Sequence, residues 1–592
     1  MRTTNKFYLC ALVCLFLLAG GMRSAFGQIP DPGAPGPLAV TREEYDFGDT
    51  AFAPTDFPGP VELRASIHYP TTLSGAPFPV ILFLHGRHET CFNGNGKGAA
   101  FLQWPCTFAQ TQPIPSYKGY DYVAQVLASH GYVVVSVSAN GINALDNIVP
   151  DFGALARAEL LQKHLDILNT FNTTGGAPFG TKFVGKFNLS KVGTMGHSRG
   201  GEGVVRHFAL NNELGAPYGI KAVFPLAPIN FQRLVVNNAA LNVLLPYCDG
   251  DVNDLQGVHY YDDARYNVPG DTAPKHYELV MGANHNFYNT VWTPSIGPAG
   301  AVDDWPTFVL GGQNDPHCGI VPGNQRLSEA QQRGTALAYM TAFFRAYVGG
   351  EQQFLPILTG DAPPPPSAQT NKLFVSYHAP DNPALRLDVN RLLNDTNLTV
   401  NSLGGGATQT ALTPYELCGG DAPQARKCLP DQLFVRQPHS TPSFLSARRG
   451  LSQLKTGWNN STGNYKNDLP AALKDVSRFQ AVQFRVGVNF ADARNLADLA
   501  QDFRVILTDT SGASTSVRVS NVSGALYFPP GDVGPQGSPR PVPRVILNTV
   551  RVPLTAFGGV NLKSVRSVQL TFDERLQGAI LITDVAFASA PQ

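Results

Sequence analysis

The sequence predicts an α/β fold built on a mostly parallel sheet, followed by an all-β sandwich. Three observations carry this reading. Between residues 61 and 350, apolar runs of strand length alternate with stretches of helical period, the pattern of a parallel sheet with helices on both faces. A stiff Pro-rich stretch, DAPPPPS at 361–367, then interrupts the chain. Beyond it, short segments of alternating polarity recur with turns between them and few helices, as in an antiparallel sandwich.

The elements follow in order. Strands are predicted over 61–68 and 80–84, a helix over 120–130, a strand over 132–137 and an amphipathic helix over 155–168. A strand at 189–195 and a helix at 201–214 flank a Gly-rich turn, and further strands are predicted at 222–226, from 241, and at 277–281. A long helix over 328–347 closes this part. The later strands are expected at 374–377, 481–488, 503–508, 516–519, 544–552, 568–572 and 580–587. The domain boundaries that result are a leader at 1–27, a Pro- and Gly-rich extended arm at 28–60, the α/β part at 61–358, a linker at 359–370 and the sandwich at 371–592.

The turn between the strand at 189–195 and the helix at 201–214 reads Gly196-His197-Ser198-Arg199-Gly200-Gly201. A serine on a sharp strand-to-helix turn is lifted above the sheet, and glycines on either side let strand and helix pass closely. A bare G-x-S-x-G is weak, since a glycine turn ends many strands. Three further features strengthen it. His85-Gly86-Arg87 ends the apolar run at 79–84, where the backbone N–H of Arg87 can join that of Arg199 as a pair of oxyanion donors. The strand from 241 ends in an acidic cluster, in which Asp249, Asp251 and Asp254 compete to orient an imidazole. Asp251, three residues past Cys248, is favoured, with Asp249 next. The cluster fits a calcium loop poorly, because Asp254 stands where glycine is needed and Tyr260 where a bidentate glutamate is needed. Finally, His285 follows the strand at 277–281, in the chain order Ser, Asp, His. His276, before that strand, is the weaker base.

On these residues the 60–350 region resembles the α/β-hydrolase superfamily, within its secreted serine esterases. The Gly-His-Ser-Arg-Gly-Gly run is similar to the elbow of chlorophyllase, and the layout resembles the polyester-hydrolase, dienelactone-hydrolase and platelet-activating-factor acetylhydrolase families. The resemblance implies Ser198 as nucleophile, His285 as base and Asp251 as orienting acid, acting on a lipid, aromatic or polymer ester. Such chemistry needs no metal or organic cofactor. A peptidase or acyltransferase with the same triad, or a silent hydrolase fold that only binds, are the alternatives. The chain departs from these families in the loop 87–106 and in its C-terminal region. The loop carries Phe92, Phe101 and Trp104 and reads as an aromatic lid or a structural flap. The closing segments look like a jelly-roll carbohydrate-binding domain, which implies a polysaccharide or polymer surface as partner. Trp458 and Tyr465 are either sugar platforms or core.

The N-terminus has a basic start at Arg2 and Lys6, an apolar run at 7–19 and a small-x-small site at 25–27, the marks of a cleaved export signal. The run is short for a membrane span, and no other segment reads as one. A secreted or periplasmic location fits the cysteines: six remain beyond the leader, and the simplest pairing joins neighbours, Cys91 with Cys106, Cys248 with Cys318, Cys418 with Cys428. Across 592 residues, 44 basic residues balance 44 acidic ones without long charge runs, so nothing points to nucleic acid.

Overall fold

The computed structural model describes residues 29–94, 99–108, 110–393, 397–420, 427–430, 436–441, 443–532 and 543–591. The leader expected at 1–27 lies outside them, and no helix among the described residues is long and apolar enough to cross a membrane.

The first part is a nine-stranded sheet. Its strands are β1 (Val40–Asp46), β2 (Arg64–Pro70), β3 (Phe78–Leu84), β4 (Val133–Val137), β5 (Phe187–His197), β6 (Ile220–Leu226), β7 (Ala240–Pro246), β8 (Lys275–Val280) and β9 (Leu373–His378). Their spatial order is β1-β2-β4-β3-β5-β6-β7-β8-β9. Pairing is parallel from β4 through β8 and antiparallel at both ends. The parallel strands are near-continuous Val, Ile and Leu runs because both faces are covered; every residue of β4 and β7 is buried. The main helices are α1 (Asp121–Ser129), α2 (Ala154–Thr173), α3 (Arg199–Glu213), α4 (Val258–Ala264) and α5 (Glu329–Phe344). Ser328 and Gln331 form a capping box that starts α5.

Two expected boundaries are corrected. The stretch 28–60 is not a free arm, because it supplies β1, which pairs antiparallel with β2. Tyr45 of β1 turns inward, and its hydroxyl meets His164 Nδ1 at 2.6 Å. Nor does the stretch after the Pro-rich segment begin the sandwich. Residues 373–378 form β9 and pair with β8 through all six positions. The Pro-rich segment is therefore a crossing between two strands of one sheet, and Asp361 in it accepts from Arg551 Nε at 2.9 Å.

The second part consists of two antiparallel sheets. One joins Tyr415–Cys418, Gln453–Trp458, Gly578–Ala588, Ala481–Val488 and Asn548–Pro553, with Arg386–Asn390 also on Gly578–Ala588. The other joins Ala407–Thr410, Gly463–Asp468, Val565–Phe572, Arg504–Asp509 and Ser514–Arg518. Trp458 and Tyr465 are core residues, 0% and 1% exposed, and Trp458 stacks on Phe572 at 4.5 Å. Neither ring is available to a sugar.

The two parts share a buried polar interface. Asp262 of α4 accepts from His439 Nδ1 at 2.7 Å and from Arg485 Nη1 at 2.9 Å. Burial opposes the charge on Asp262, but His439 and Arg485 together hold its carboxyl well below the usual range. Arg265 pairs with Asp584, and the Thr549 amide donates to Ser376 Oγ at 3.0 Å. Ile546, from the second part, joins the core of the first. Removing one partner of a buried ion pair strands the others, so Asp262→Ala is expected to cost about 3–5 kcal/mol. Calorimetry should record a markedly lower Tm for this variant.

Candidate active site

β5 runs without interruption into Ser198, which has φ 56° and ψ −123° and caps α3. A non-glycine residue in that region stores roughly 1–3 kcal/mol of strain, and the surroundings must impose it. They do so by close approach. A Cβ on Gly196 would lie 2.0 Å from the Gly200 carbonyl oxygen, and one on Gly200 would lie 2.6 Å from that of Leu84. The Ser198 amide donates to the Leu226 carbonyl at 2.9 Å. The hydroxyl thus stands at the positive end of α3, beyond the carboxyl ends of the parallel strands.

The loop after β3 presses on this turn. A Cβ on Gly86 would lie 2.5 Å from Ser198 Cβ. The Gly86 carbonyl is held by His85 Nδ1 and by Asn143 Nδ2, each at 2.9 Å. His85 Nε2 in turn accepts from the Ala139 amide at 2.8 Å, so the ring is neutral with its proton on Nδ1. Burial takes its pKa down to about 3. In a trans peptide the N–H points opposite the C=O. Tying the Gly86 carbonyl to His85 and Asn143 therefore turns the Arg87 N–H the other way. The Arg199 N–H, first in α3, has no intrahelical acceptor.

Both arginine side chains are drawn to one buried carboxylate. Asp146 receives Arg87 Nε at 3.0 Å, Arg199 Nη1 at 3.0 Å and Arg157 Nη2 at 2.7 Å. Arg199 also lies over the Phe152 ring, 5.4 Å from its centroid.

A carboxylate and an imidazole from the loops after β7 and β8 meet nearby. His285 Nδ1 meets Asp249 Oδ2 at 2.8 Å, with both side chains 1% exposed. This corrects the expected choice of Asp251. Asp249 Oδ1 accepts from the amides of Asp251 and Val252 at 3.0 and 2.6 Å, so the carboxylate caps its own turn. That turn carries Asp251 around the ring. Its side chain is half exposed, and its Oδ2 is 3.7 Å from His285 Nε2, the opposite nitrogen. Asp254 bonds locally to Gln256. His276 is a structural residue, held between the Leu358 carbonyl and Tyr347.

Further residues complete the site, and of these Asp304 carries no signal in the sequence. Asp304, fully buried, accepts from the amides of Gly250 at 2.8 Å, His285 at 3.0 Å and Asn286 at 3.0 Å. Burial, and next the charge of Asp249, push its carboxyl up to about 7. The His197 ring lies 4.8 Å from those of His285 and Trp292, and its Nδ1 meets the Tyr120 hydroxyl at 3.0 Å. Cys248–Cys318 fastens the residue next to Asp249 to a segment 70 residues away. Cys91–Cys106 and Cys418–Cys428 are the other two bridges among the described residues.

Ser198, Asp251, Arg87 and Arg199 line a cavity of about 260 Å³. Among the described residues of the loop 87–106, only Arg87 reaches it. Phe92 is buried, and Trp104 Nε1 donates to the Asp49 carbonyl at 2.8 Å. That loop is thus no aromatic roof; the rings at the cavity are Phe231 and Phe444. His285 Nε2 is buried and has no hydrogen-bond partner; the charge nearest to it is Asp251 Oδ2 at 3.7 Å, and Asp251 lines the cavity.

No protein-family model matches the chain. It is 25% identical over 252 residues to cutinase cut1 of Thermobifida fusca, covering 40% of this chain and 72% of that protein. Cutinase 1 of Thermobifida cellulosilytica is 25% identical over 220 residues, 36% of this chain and 73% of its own. Cutinase est2 of Thermobifida alba is 25% identical over 215 residues, 35% and 63% respectively. This likeness supports kinship with esterases and leaves more than half of the chain unmatched.

The charges around His285 make one prediction independent of turnover. Burial lowers its pKa, but the Asp249 charge and hydrogen bond, then Asp251 and Asp304, raise it to about 9. The ring should therefore carry its proton below that pH and lose it above. NMR titration should show a midpoint near pH 9, which Asp251→Asn lowers and Asp249→Asn lowers further. An unchanged midpoint in both variants would contradict the assignment.

Proposed function

We propose that this chain is an exported serine hydrolase of the α/β-hydrolase type that cleaves carboxylic esters. In this reading Ser198 is the nucleophile, His285 the base and Asp249 the orienting acid, with the amides of Arg87 and Arg199 as oxyanion donors. The observation that carries it is the buried Asp249–His285 pair, whose imidazole lies 4.8 Å from the ring of His197, the residue before a strained serine at a strand-to-helix turn. The similarity to cutinases supports an ester as substrate over an amide.

The chemistry follows from the geometry. Asp249 holds one His285 proton on Nδ1, so once the ring's second proton is lost, as the pH rises toward and past about 9, Nε2 is free to accept. As Ser198 Oγ attacks the ester carbonyl, its proton passes to Nε2. The carbonyl oxygen becomes an anion and is met by the two amides, each worth about 3 kcal/mol by the usual cost of deleting such a donor. His285 then protonates the departing alcohol. Water, deprotonated by the same nitrogen, releases the acid and restores the serine.

The test is hydrolysis of p-nitrophenyl esters of increasing acyl length. The wild type should turn them over and Ser198→Ala should not. Asp249→Asn should lower kcat by about 10⁴-fold, the loss that a wrong imidazole tautomer causes in serine proteases. Asp251→Asn should retain more than about a tenth of the wild-type rate, since it does not hold Nδ1. Absence of both turnover and fluorophosphonate labelling of Ser198 would overturn the proposal.

A further inference from the structure

The segment joining Tyr415–Cys418 to Gln453–Trp458 belongs by connectivity to the C-terminal β part. It nonetheless reaches back to the cavity that holds Ser198, where Phe444 forms part of the lining. Its backbone is fastened there. Ser443 Oγ donates to the Phe231 carbonyl, and the Leu445 amide donates to the same oxygen at 3.0 Å. A few residues on, the Arg449 carbonyl accepts from Arg233 Nη2 at 3.1 Å.

These ties set the Phe444 ring edge-on to Phe231, with centroids 5.0 Å apart and planes at 85°. Phe231 meets Phe152 at 5.0 Å and 62°, and Phe152 lies beneath Arg199, the neighbour of Ser198. A row of three rings therefore leads from the rim to the Arg199 guanidinium. Phe444 at its outer end is 73% exposed. A large ring held in place yet left in water has its apolar surface unsatisfied until something covers it. Edge-to-face and offset contacts favour another ring as the cover.

We propose that Phe444 is a specificity-determining residue, which with Phe231 grips an aromatic group of the ester at the mouth of the cleft. This rests on the reading of Ser198 as nucleophile. It also makes the C-terminal part a contributor to substrate choice, with the cleft completed from both parts of the chain.

Three esters separate the possibilities: ethyl acetate, ethyl 2-naphthoate and 2-naphthyl acetate, followed by acid release. Phe444→Ala should raise KM for at least one naphthyl ester about tenfold, with kcat little changed. Its kcat/KM for ethyl acetate should stay within about twofold of wild type, and Phe444→Trp should restore the naphthyl ester. An equal loss on all three esters, or no change on any, overturns the proposal. Binding read without turnover keeps it separate from the catalytic reading. Titrated calorimetrically into Ser198→Ala, the preferred naphthyl ester should bind about tenfold more weakly once Phe444→Ala is added. Equal binding with and without Phe444 would sink the contact even if Ser198 proves to be the nucleophile. Weaker binding would support it even if no ester is turned over.

Discussion

The Asp304 carboxylate receives main-chain amides from two different loops, and the arrangement of the cleft depends on it. One amide belongs to Gly250, next to Asp249; the others belong to His285 and Asn286. Without that shared acceptor, the ends of β7 and β8 would each close their own turns. The acid and the imidazole would then meet only by chance of loop conformation. A buried carboxylate with three donors is a strong, directional constraint, because leaving any donor unmet costs its full desolvation. It also adds, after Asp249 and Asp251, a third carboxylate near the imidazole that favours the protonated ring.

The opposite wall of the cleft has a comparable constraint in Asp146. Three guanidinium groups converge on this one carboxylate, and Arg157 also donates to Asn143 Oδ1 at 2.7 Å. Asn143 in turn holds the Gly86 carbonyl. A chain of polar contacts thus runs from the interior of α2 to the peptide that presents the Arg87 N–H. Such a donor stabilises a developing anion only if it needs no reorientation when the charge appears. Packing of Gly86 against Ser198 keeps that peptide within reach of the reacting centre.

The C-terminal part supports the same cleft from below. Arg544 is buried between Tyr247 and Trp305, with its guanidinium 4.6 and 4.9 Å from the two ring centroids. It donates to the Tyr247 carbonyl and, at 3.0 Å, to that of Asn253. These two carbonyls bracket the turn that holds Asp249. With β9 in the first sheet and the Asp262 network across the boundary, the α/β and all-β parts form one body rather than a catalyst with a tethered module.

The sequence by itself determined the parallel strands, the helices between them apart from α4, the glycine-flanked serine turn and the histidine that follows β8. These are local patterns: a hydrophobic period of two or 3.6 residues, or a backbone that only glycine permits, can be read within a short window. The cysteine pairing was legible only as the simplest choice, neighbour with neighbour along the chain, since Cys248 and Cys318 lie 70 residues apart. Tertiary structure alone decided between Asp249 and Asp251. The two lie in one turn, and which faces Nδ1 depends on amides that the turn offers to its own first carboxylate. It also decided that β1 and β9 extend the first sheet, since strand partnership is set by the neighbouring edge and not by the strand's composition. Strands at 386–390, 407–410, 415–418, 453–458 and 463–468 escaped notice, their apolar residues being too few for a clear alternation. Asp304, Asn143 and Phe444 carry no motif. Each acts through contacts with residues far away in the chain, and only folding brings those together.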